Sequence, residues 1–378
     1  MKTYDFENLF ARTREMLRSA ARDDVSITDI SSADSSHLYD KRISAIISKY
    51  SLSYPINFSR YYFTGSLRNT LLDKVKEKLA GNLAVGITLL PSATMALNAT
   101  LMFLKEKNVR KLAIIAPYYF ISTKICNALG MKYEILPVER KDCSIFLPLE
   151  KILHKNFDAV LITSPVYGSS EYFTERIIND INLLQIKNKY VLFDEALAIS
   201  GNELARKLNC SDYLFHIYSP HKSIGINAYK FSAIISSLNN ENKFRECAEI
   251  YAGGLNQTSV SAIEHYISKD FLLCQNEYSQ VIQIGKNALT STLATLNKEI
   301  ILFSGMGHYA SVLPTVDYPG SDSYLRSIQA CVSDYKIAFM PPWPSWNEGF
   351  KINMTYSSIE IKNAINAIVQ NFGTTIDN

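Results

Sequence analysis

Two short stretches decide the fold predicted for this chain: DEAL at residues 194–197 and SPHKSIG at residues 219–225. Each stretch continues from a run of mainly apolar residues, Tyr190–Asp194 and Phe215–Ser219, which is typical of a buried strand. In an open sheet of parallel strands, the groups that bind a ligand lie just beyond the carboxyl ends of the strands. The sequence therefore predicts that Asp194 and Lys222 lie at the same edge of a parallel sheet.

Further strand-like runs surround these two stretches. They are Ala84–Leu90, Lys111–Ala116, Ala159–Thr163 and Phe231–Ile235, and helix-length segments separate most of them. Near-continuous apolar strands that alternate with helices indicate a largely parallel sheet covered on both faces. The fold class is therefore α/β.

The rest of the chain divides into four segments. Residues 1–50 hold an amphipathic helix at 5–22 and a segment of the small domain. Residues 51–255 form the large domain, residues 256–298 form a connecting helix, and residues 299–378 form the small C-terminal domain. Strand-like pieces at Glu299–Phe303, Tyr335–Phe339 and Phe350–Met354, with a closing helix near 358–371, predict that the small domain is α+β.

Composition narrows the class of partner. The 378 residues are 47% apolar, and 39 basic against 36 acidic residues leave a formal net charge of +3. This balance argues against a nucleic-acid or membrane surface and favours a small-molecule substrate. The first residues lack an apolar signal segment, so we expect a cytoplasmic protein. The six cysteines contain no paired C-x-x-C motif, so we expect reduced thiols and no metal site.

In their order and spacing, these motifs resemble those of fold-type-I enzymes that use pyridoxal 5′-phosphate (PLP), the class I/II aminotransferase family with the aspartate-aminotransferase fold. The resemblance covers roughly residues 25–370. It implies a large domain with a mostly parallel seven-stranded sheet between helices, a small α+β domain, and PLP as the cofactor.

The resemblance assigns roles to the two deciding residues. Lys222 matches the lysine that forms a Schiff base with the cofactor aldehyde, and Asp194 matches the aspartate that pairs with the pyridine nitrogen. Taken alone, Lys222 would be read as a solvated loop lysine and Asp194 as a turn or helix-cap aspartate. Their order and spacing favour the functional reading.

Phosphate binding is expected from three segments. Ser92, Ala93 and Thr94 follow a strand and open a helix, whose free N–H groups and dipole attract an anion. Ser219 and Lys230 complete the set by resemblance, although the family usually has arginine where Lys230 stands. A simple capped helix is the alternative at 92–94.

Two aromatic positions also follow from the resemblance. Tyr119, after APY at 116–118, matches the ring that stacks on the cofactor, with a core tyrosine as the alternative. Tyr61 or Tyr62 matches a tyrosine that reaches the cofactor phosphate of the neighbouring subunit. The resemblance therefore implies a homodimer.

Two departures from the family pattern concern the substrate and the ring hydroxyl of the cofactor. TSPVYGS at 163–169 has no asparagine, and Tyr167 is the residue that we expect to supply a phenolic donor instead. Lys351 stands where relatives place the arginine that grips a substrate carboxylate. A solvent-facing strand lysine is an equally good interpretation of Lys351.

These residues indicate a PLP-dependent aminotransferase that acts on an amino acid or related amine through a Lys222 Schiff base. Two alternatives stay open. One is a PLP-dependent lyase, cyclase or oxidase of specialised biosynthesis, because the same cofactor supports each reaction once the α-proton has left. The other is a catalytically silent homologue that only binds a ligand, although retention of Lys222 and Asp194 counts against it.

Overall fold

The computed structural model describes residues 12–17, 19, 27–30, 44–46, 48–49, 62–67, 69–81, 84–141, 144–199, 207–227, 229–296, 300–314, 321–339 and 349–372. They fall into two compact units. The larger unit comprises Tyr39–Tyr167 and Glu171–Tyr278, and the smaller comprises Met1–Leu38, Gly168–Ser170 and Ser279–Asn378.

Strands and helices alternate along most of the chain. The strands are β1 (Thr28–Asp29), β2 (Gly86–Leu90), β3 (Lys111–Ala116), β4 (Lys132–Pro137), β5 (Glu139–Lys141), β6 (Ser144–Phe146), β7 (Ala159–Thr163), β8 (Tyr190–Glu195), β9 (Leu214–Tyr218), β10 (Ser232–Ser236), β11 (Ile300–Ser304), β12 (Tyr309–Pro314), β13 (Ile337–Ala338) and β14 (Phe350–Asn353). The helices are α1 (Asn69–Ala80), α2 (Ala93–Glu106), α3 (Ile121–Leu129), α4 (Leu149–His154), α5 (Arg176–Ile186), α6 (Leu238–Ala252), α7 (Gln257–Ile267), α8 (Asp270–Thr295), α9 (Ser321–Tyr335) and α10 (Ser358–Phe372).

A seven-stranded sheet forms the centre of the larger unit, in the order β2-β10-β9-β8-β7-β3-β4. Strand β10 runs antiparallel to both of its neighbours, and the other adjacent pairs are parallel. Strands β2, β7 and β9 are buried at every position, because helices cover both faces. The predicted α/β architecture with a mostly parallel seven-stranded sheet is confirmed.

The strand ends that carry the predicted site residues lie at one edge of this sheet. Parallel pairing sets Thr163 at the end of β7 opposite Asp194 in β8, and Glu195 opposite Tyr218 at the end of β9. Because β10 is antiparallel, its first residue, Ser232, pairs with the last residue of β2, Leu90. Loops that follow β2, β3, β7, β8 and β9, and the loop that enters β10, therefore open at the same edge.

Apolar packing holds the helices against the sheet. On one face, the Phe103 ring of α2 meets Phe215 of β9 and Phe244 of α6, with ring centroids 5.4 and 5.2 Å apart. All three side chains are buried, and burying one phenylalanine contributes about 2 kcal/mol. This contact fixes α2, whose first turn lies at the ligand-facing edge of the sheet.

The smaller unit contains a three-stranded antiparallel sheet, in the order β11-β12-β14, and the short parallel pair β1-β13. Helices α9 and α10 belong to the same unit. The predicted small α+β domain is confirmed. Of the predicted N-terminal helix, residues 12–17 and 19 are helical, and the remainder lies outside the described residues.

The length and the apolar character of the described helices decide whether one of them could span a membrane. The longest, α8, has 26 residues, but Asp270, Glu277 and Lys286 interrupt its apolar positions. None of the helices in the described ranges is long and apolar enough to cross a bilayer.

Gly285 of α8 provides a test of the packing within the smaller unit. A Cβ atom at this position would overlap the carbonyl oxygen of Met354 and lie 2.8 Å from its carbonyl carbon. In an open helix, Gly→Ala adds up to about 1 kcal/mol of stability, whereas overpacking costs about 1–3 kcal/mol. We therefore expect Gly285→Ala to lower the thermal midpoint by several degrees, about 4 °C or more.

The control for this prediction is Gly65→Ala. The nearest atom to a Cβ at Gly65, on Arg245, is 3.7 Å away, so the thermal midpoint should hardly change. Equal midpoints for Gly285→Ala and the unmodified protein would contradict the close contact with Met354.

Candidate active site

Lys222 lies on a short helix that several hydrogen bonds hold in place. Strand β9 ends at Tyr218, and a 3₁₀ helix at Pro220–Ile224 follows, with the Lys222 N–H donating to the Ser219 carbonyl at 3.0 Å. The Ser223 hydroxyl donates to the Pro220 carbonyl at 2.8 Å. Gly225 ends the helix in a left-handed conformation with φ 67°, which glycine adopts without a steric penalty. The backbone of Lys222 is thus held at the ligand-facing edge of the sheet.

The side chain of Lys222 is half-buried and meets a neighbour from its own loop. Its Nζ donates to Oδ1 of Asn227 at 2.5 Å. Asn227 could not be identified from the sequence, because its approach to Lys222 depends on the turn at Gly225. His221 is buried and its Nδ1 lies 2.8 Å from the Phe231 carbonyl, which ties the helix to the residue that precedes β10.

Asp194 is a buried carboxylate near the end of β8, with 6% of its surface exposed. Its Oδ1 accepts the Ala196 N–H at 3.0 Å. Burial raises the pKa of Asp194 to about 6, while the Ala196 N–H and the charge of His216 lower it and Glu195 raises it further. The protein therefore holds at this edge a carboxylate that would bind a cationic partner strongly.

Glu195, the next residue, has a separate partner. Successive side chains of a strand point to opposite faces, so Glu195 faces away from Asp194. Its Oε2 lies 2.7 Å from Nε2 of His216, and both side chains are almost fully buried. This pair stabilises β8 against β9 on the other face of the sheet.

Two tyrosines and a threonine gather close to Asp194. The Tyr119 and Tyr167 rings have centroids 5.7 Å apart, and the Tyr119 hydroxyl lies 3.4 Å from Oγ1 of Thr94. Burial is the largest cause that raises the pKa of Tyr119, and the charge of Asp194 raises it further. Burial also raises the pKa of Tyr167 well above its ordinary value. The structure thus brings together four of the predicted residues.

The predicted anion-binding segments also reach this edge. Ser92 caps α2, its Oγ accepting the Met95 N–H at 3.3 Å, and Ala93 and Thr94 form the first turn. Oγ of Ser219 lies 2.5 Å from Oγ of Ser232, a residue that the sequence did not single out. Lys230 is half-buried two residues before Ser232. These groups supply hydroxyls, helix N–H groups and a cation, which suit an anion.

Two hydroxyls beside Asp194 were missed by the sequence reasoning. Thr163 pairs in register with Asp194, and the Ser164 N–H donates to the Asp194 carbonyl at 2.9 Å. Thr163 Oγ1 and Ser164 Oγ are buried and have no hydrogen-bond partner among the described residues. Buried hydroxyls without partners are costly, so they indicate a ligand. Their position at the carboxyl end of a strand, before Pro165, was the available signal.

Tyr61 and Tyr62 are the tyrosines that were predicted to reach the phosphate of a neighbouring subunit. Tyr61 lies outside the described residues. Its neighbour Tyr62 is buried and pairs through its backbone with Leu255, whose N–H donates to the Tyr62 carbonyl at 2.6 Å.

Lys351 belongs to the smaller unit and is buried rather than solvent-facing. Its Nζ lies 4.5 Å from the centroid of the Tyr309 ring, and burial lowers the pKa of Lys351 to about 8, partly offset by the charge of Asp29. On the adjacent strand, Ser311 pairs with Lys351, and its buried hydroxyl has no partner in the described part of the chain.

No family model matches the sequence, and no curated protein matches it. Solved structures do match over nearly the whole chain. N-succinyldiaminopimelate aminotransferase from Mycobacterium tuberculosis superposes with a TM-score of 0.77 at 12% identity, covering 98% of this chain and 100% of that one.

Two further aminotransferase structures agree. Kynurenine aminotransferase from Pyrococcus horikoshii gives a TM-score of 0.75 at 14% identity, with coverage of 96% and 95%. Aspartate aminotransferase from Thermotoga maritima gives 0.74 at 13% identity, with coverage of 96% of each chain. The chain therefore has the aspartate-aminotransferase fold.

The buried carboxylate of Asp194 makes the stability of the protein depend on pH. Because the folded chain raises the pKa of Asp194 to about 6, it binds this proton more tightly than the unfolded chain, whose aspartate titrates near about 4. Stability is therefore lost as pH rises through about 4 to 6, and the penalty persists above that window. We expect Asp194→Asn to raise the free energy of unfolding of the ligand-free protein by about 2 kcal/mol at about pH 8 and by little at about pH 4.

Urea unfolding at the two pH values measures this difference. Asp158→Asn is the control, because Oδ2 of Asp158 accepts the N–H groups of Arg110 and Lys111 at 2.9 Å and has a structural role. It should not stabilise the protein. A loss of stability in Asp194→Asn at the higher pH would contradict the cost assigned to the Asp194 charge.

Proposed function

We propose that the protein is a PLP-dependent aminotransferase acting on an amino acid or related amine, with Lys222 carrying the cofactor as a Schiff base. One observation carries the proposal. A half-buried lysine and a buried aspartate with a raised pKa stand at the ends of adjacent strands, on the edge where this fold opens to a ligand. Both side chains suit PLP chemistry.

The residues at this edge fit the parts of PLP. The phosphate suits Ser92–Thr94 at the start of α2, together with Ser219, Ser232 and Lys230. The flat ring suits Tyr119, and its cationic nitrogen suits Asp194. The unpartnered hydroxyls of Thr163 and Ser164 would gain a partner. The Pyrococcus neighbour was determined with PMP, the amine form of this cofactor.

Tyr167 retains its proposed role toward the ring hydroxyl. Its ring lies close to Tyr119, and burial disfavours its ionised form, so its O–H would act as a donor. Ser164 is a second donor for the same region, because its buried hydroxyl adjoins Asp194.

When bound, PLP supplies an electron-withdrawing ring that stabilises the negative charge left when a substrate carbon loses its proton. Asp194, as the anion, would hold a proton on the ring nitrogen. The ε-amine of Lys222 would take the proton from the substrate carbon and return a proton to the product. Tyr119 packs against the apolar core and would limit access of water to the site.

Lys351 is the residue that we propose to contact the substrate. A buried ammonium beside an unpartnered Ser311 hydroxyl suits a carboxylate, so we propose an amine substrate that carries a carboxylate. We also propose a homodimer, with Tyr61 or Tyr62 reaching the neighbouring phosphate.

Two other functions remain as alternatives. A PLP-dependent lyase, cyclase or oxidase would use the same Lys222 and Asp194, and stoichiometric formation of a keto product with pyridoxamine phosphate distinguishes the transaminase from these. A silent ligand-binding homologue would have no use for the buried carboxylate of Asp194, which lowers stability when ionised.

The absorption spectrum with added PLP tests the cofactor assignment. The unmodified protein should form a visible band that Lys222→Ala lacks, because the coloured linkage needs a primary amine at the cofactor aldehyde and Lys222 is the proposed source of that amine. Lys230→Ala is the matched lysine control, and it should keep the band while binding PLP about ten-fold more weakly. An identical band in Lys222→Ala would remove the assignment of Lys222.

The titration of Lys351 gives a prediction for the substrate. Lys351 loses its charge as pH rises through about 8, so KM for a carboxylate-bearing substrate should rise above that pH. Lys351→Arg should flatten this rise, since a guanidinium stays charged. The measured quantity is the ratio of KM in Lys351→Arg to KM in the unmodified protein between about pH 7 and pH 9. A pH-independent ratio would refute the role of Lys351.

A further inference from the structure

The amine of Lys222 is held by a side chain that follows it in the same loop. Nζ of Lys222 donates to Oδ1 of Asn227 at 2.5 Å, and both side chains are half-buried. Gly225, with φ 67°, reverses the chain between them. The Gly225 N–H donates to the Lys222 carbonyl and the Ile226 N–H to the His221 carbonyl, both at 3.1 Å. The turn thus brings the amide of Asn227 back to the tip of Lys222.

The loop is fixed on both sides of this contact. Before it, the Ser223 hydroxyl donates to the Pro220 carbonyl at 2.8 Å. Across it, Nδ1 of His221 lies 2.8 Å from the Phe231 carbonyl, which joins the helix to the entry of β10. Because the backbone is restrained, Asn227 keeps its amide oxygen within reach of the amine.

We propose that Asn227 is a positioning residue that holds the ε-amine of Lys222 and raises its affinity for a proton. A hydrogen bond from an ammonium to an amide oxygen is about twice as strong as one from a neutral amine, so an acceptor at this distance favours the charged form. The inference rests on the proposed function, in which Lys222 is the amine that captures the cofactor.

The chemical consequence concerns that capture. The neutral nitrogen of Lys222 attacks the aldehyde carbon of PLP, a C=N bond forms, and the aldehyde oxygen leaves as water. Only the unprotonated amine reacts, so the proton affinity set by Asn227 determines the fraction of Lys222 that is competent at a given pH.

Other titratable groups lie at the same edge of the sheet. Asp194, Tyr119, Tyr167 and Lys230 belong to this region, and His221 adjoins Lys222 on the 3₁₀ helix. Variants confined to position 227 keep all of them. Differences among these variants therefore report the contribution of Asn227.

The experiment measures the pKa of Lys222 directly in the full chain without cofactor. Lysines are reductively methylated with ¹³C-formaldehyde, and the Lys222 resonance is identified by its absence in Lys222→Arg. We expect the pKa of Lys222 to fall by about one unit in Asn227→Ala and to rise by about one unit in Asn227→Asp. Asn127→Ala, at an exposed position of α3, should leave this pKa unchanged.

The proposal is supported if the pKa of Lys222 is lowest in Asn227→Ala, intermediate in the unmodified protein and highest in Asn227→Asp. General damage to the loop would instead shift this pKa in the same direction in both variants. An unchanged pKa in Asn227→Ala, or shifts of the same sign in both variants, would overturn it.

A second readout separates positioning from structural damage. The probe is 4′-deoxypyridoxine 5′-phosphate, which lacks the aldehyde oxygen and binds without forming a bond to lysine. Its affinity should stay within about two-fold in both variants, while the apparent pKa for growth of the PLP band follows the same order as the resonance. Loss of affinity for the probe in both variants would overturn the proposal. If the unmodified protein forms no Lys222-dependent band, the proposed function fails, whereas the order of pKa values still tests the hold of Asn227 on the amine.

Discussion

The candidate site depends on the antiparallel direction of one strand, β10. Since β9 ends at the ligand-facing edge of the sheet and β10 begins there, the loop between them starts and finishes at that edge. Lys222 lies within this loop and cannot leave the edge without breaking the pairing of β10 with β9 or β2. The same arrangement sets Ser232 beside Ser219 and opposite the end of β2, from which Ser92–Thr94 follow. Backbone hydrogen bonds therefore determine which side chains can act together.

The carboxylate of Asp194 lies at this edge although burial of its charge costs free energy. Burial disfavours the ionised form of Asp194, and the unpartnered hydroxyls of Thr163 and Ser164 stand next to it. Packing alone would favour an apolar or amide side chain at position 194. Together, these polar groups suit a ligand that brings a positive charge and hydrogen-bonding partners of its own.

The sequence predicted those parts of the fold whose signal is local. An apolar run that ends in a polar residue identifies β7, β8 and β9 and their ligand-facing ends, whereas the roles of Asp194 and Lys222 follow from the resemblance in the order and spacing of their motifs. Strand β4 lacks such a run, because it lies at the sheet edge and several of its side chains are exposed. Thr163 and Ser164 look like ordinary turn residues. Asn227 reaches Lys222 only through the left-handed turn at Gly225, which residue type alone does not specify.

The two positions where the resemblance leads one to expect arginine both hold lysine, Lys230 and Lys351. A guanidinium would stay charged and would orient an anion through two parallel hydrogen bonds, whereas an ammonium does neither once it is buried. Lys351 illustrates this, because its pKa falls to about 8. Neighbouring hydrogen-bond donors would then have to orient a bound anion. The larger unit offers the hydroxyls of Ser219 and Ser232, and the smaller unit offers that of Ser311. In the proposed function, several weak donors would thus supply the geometry that one guanidinium would impose, and anion binding at Lys351 would depend on pH.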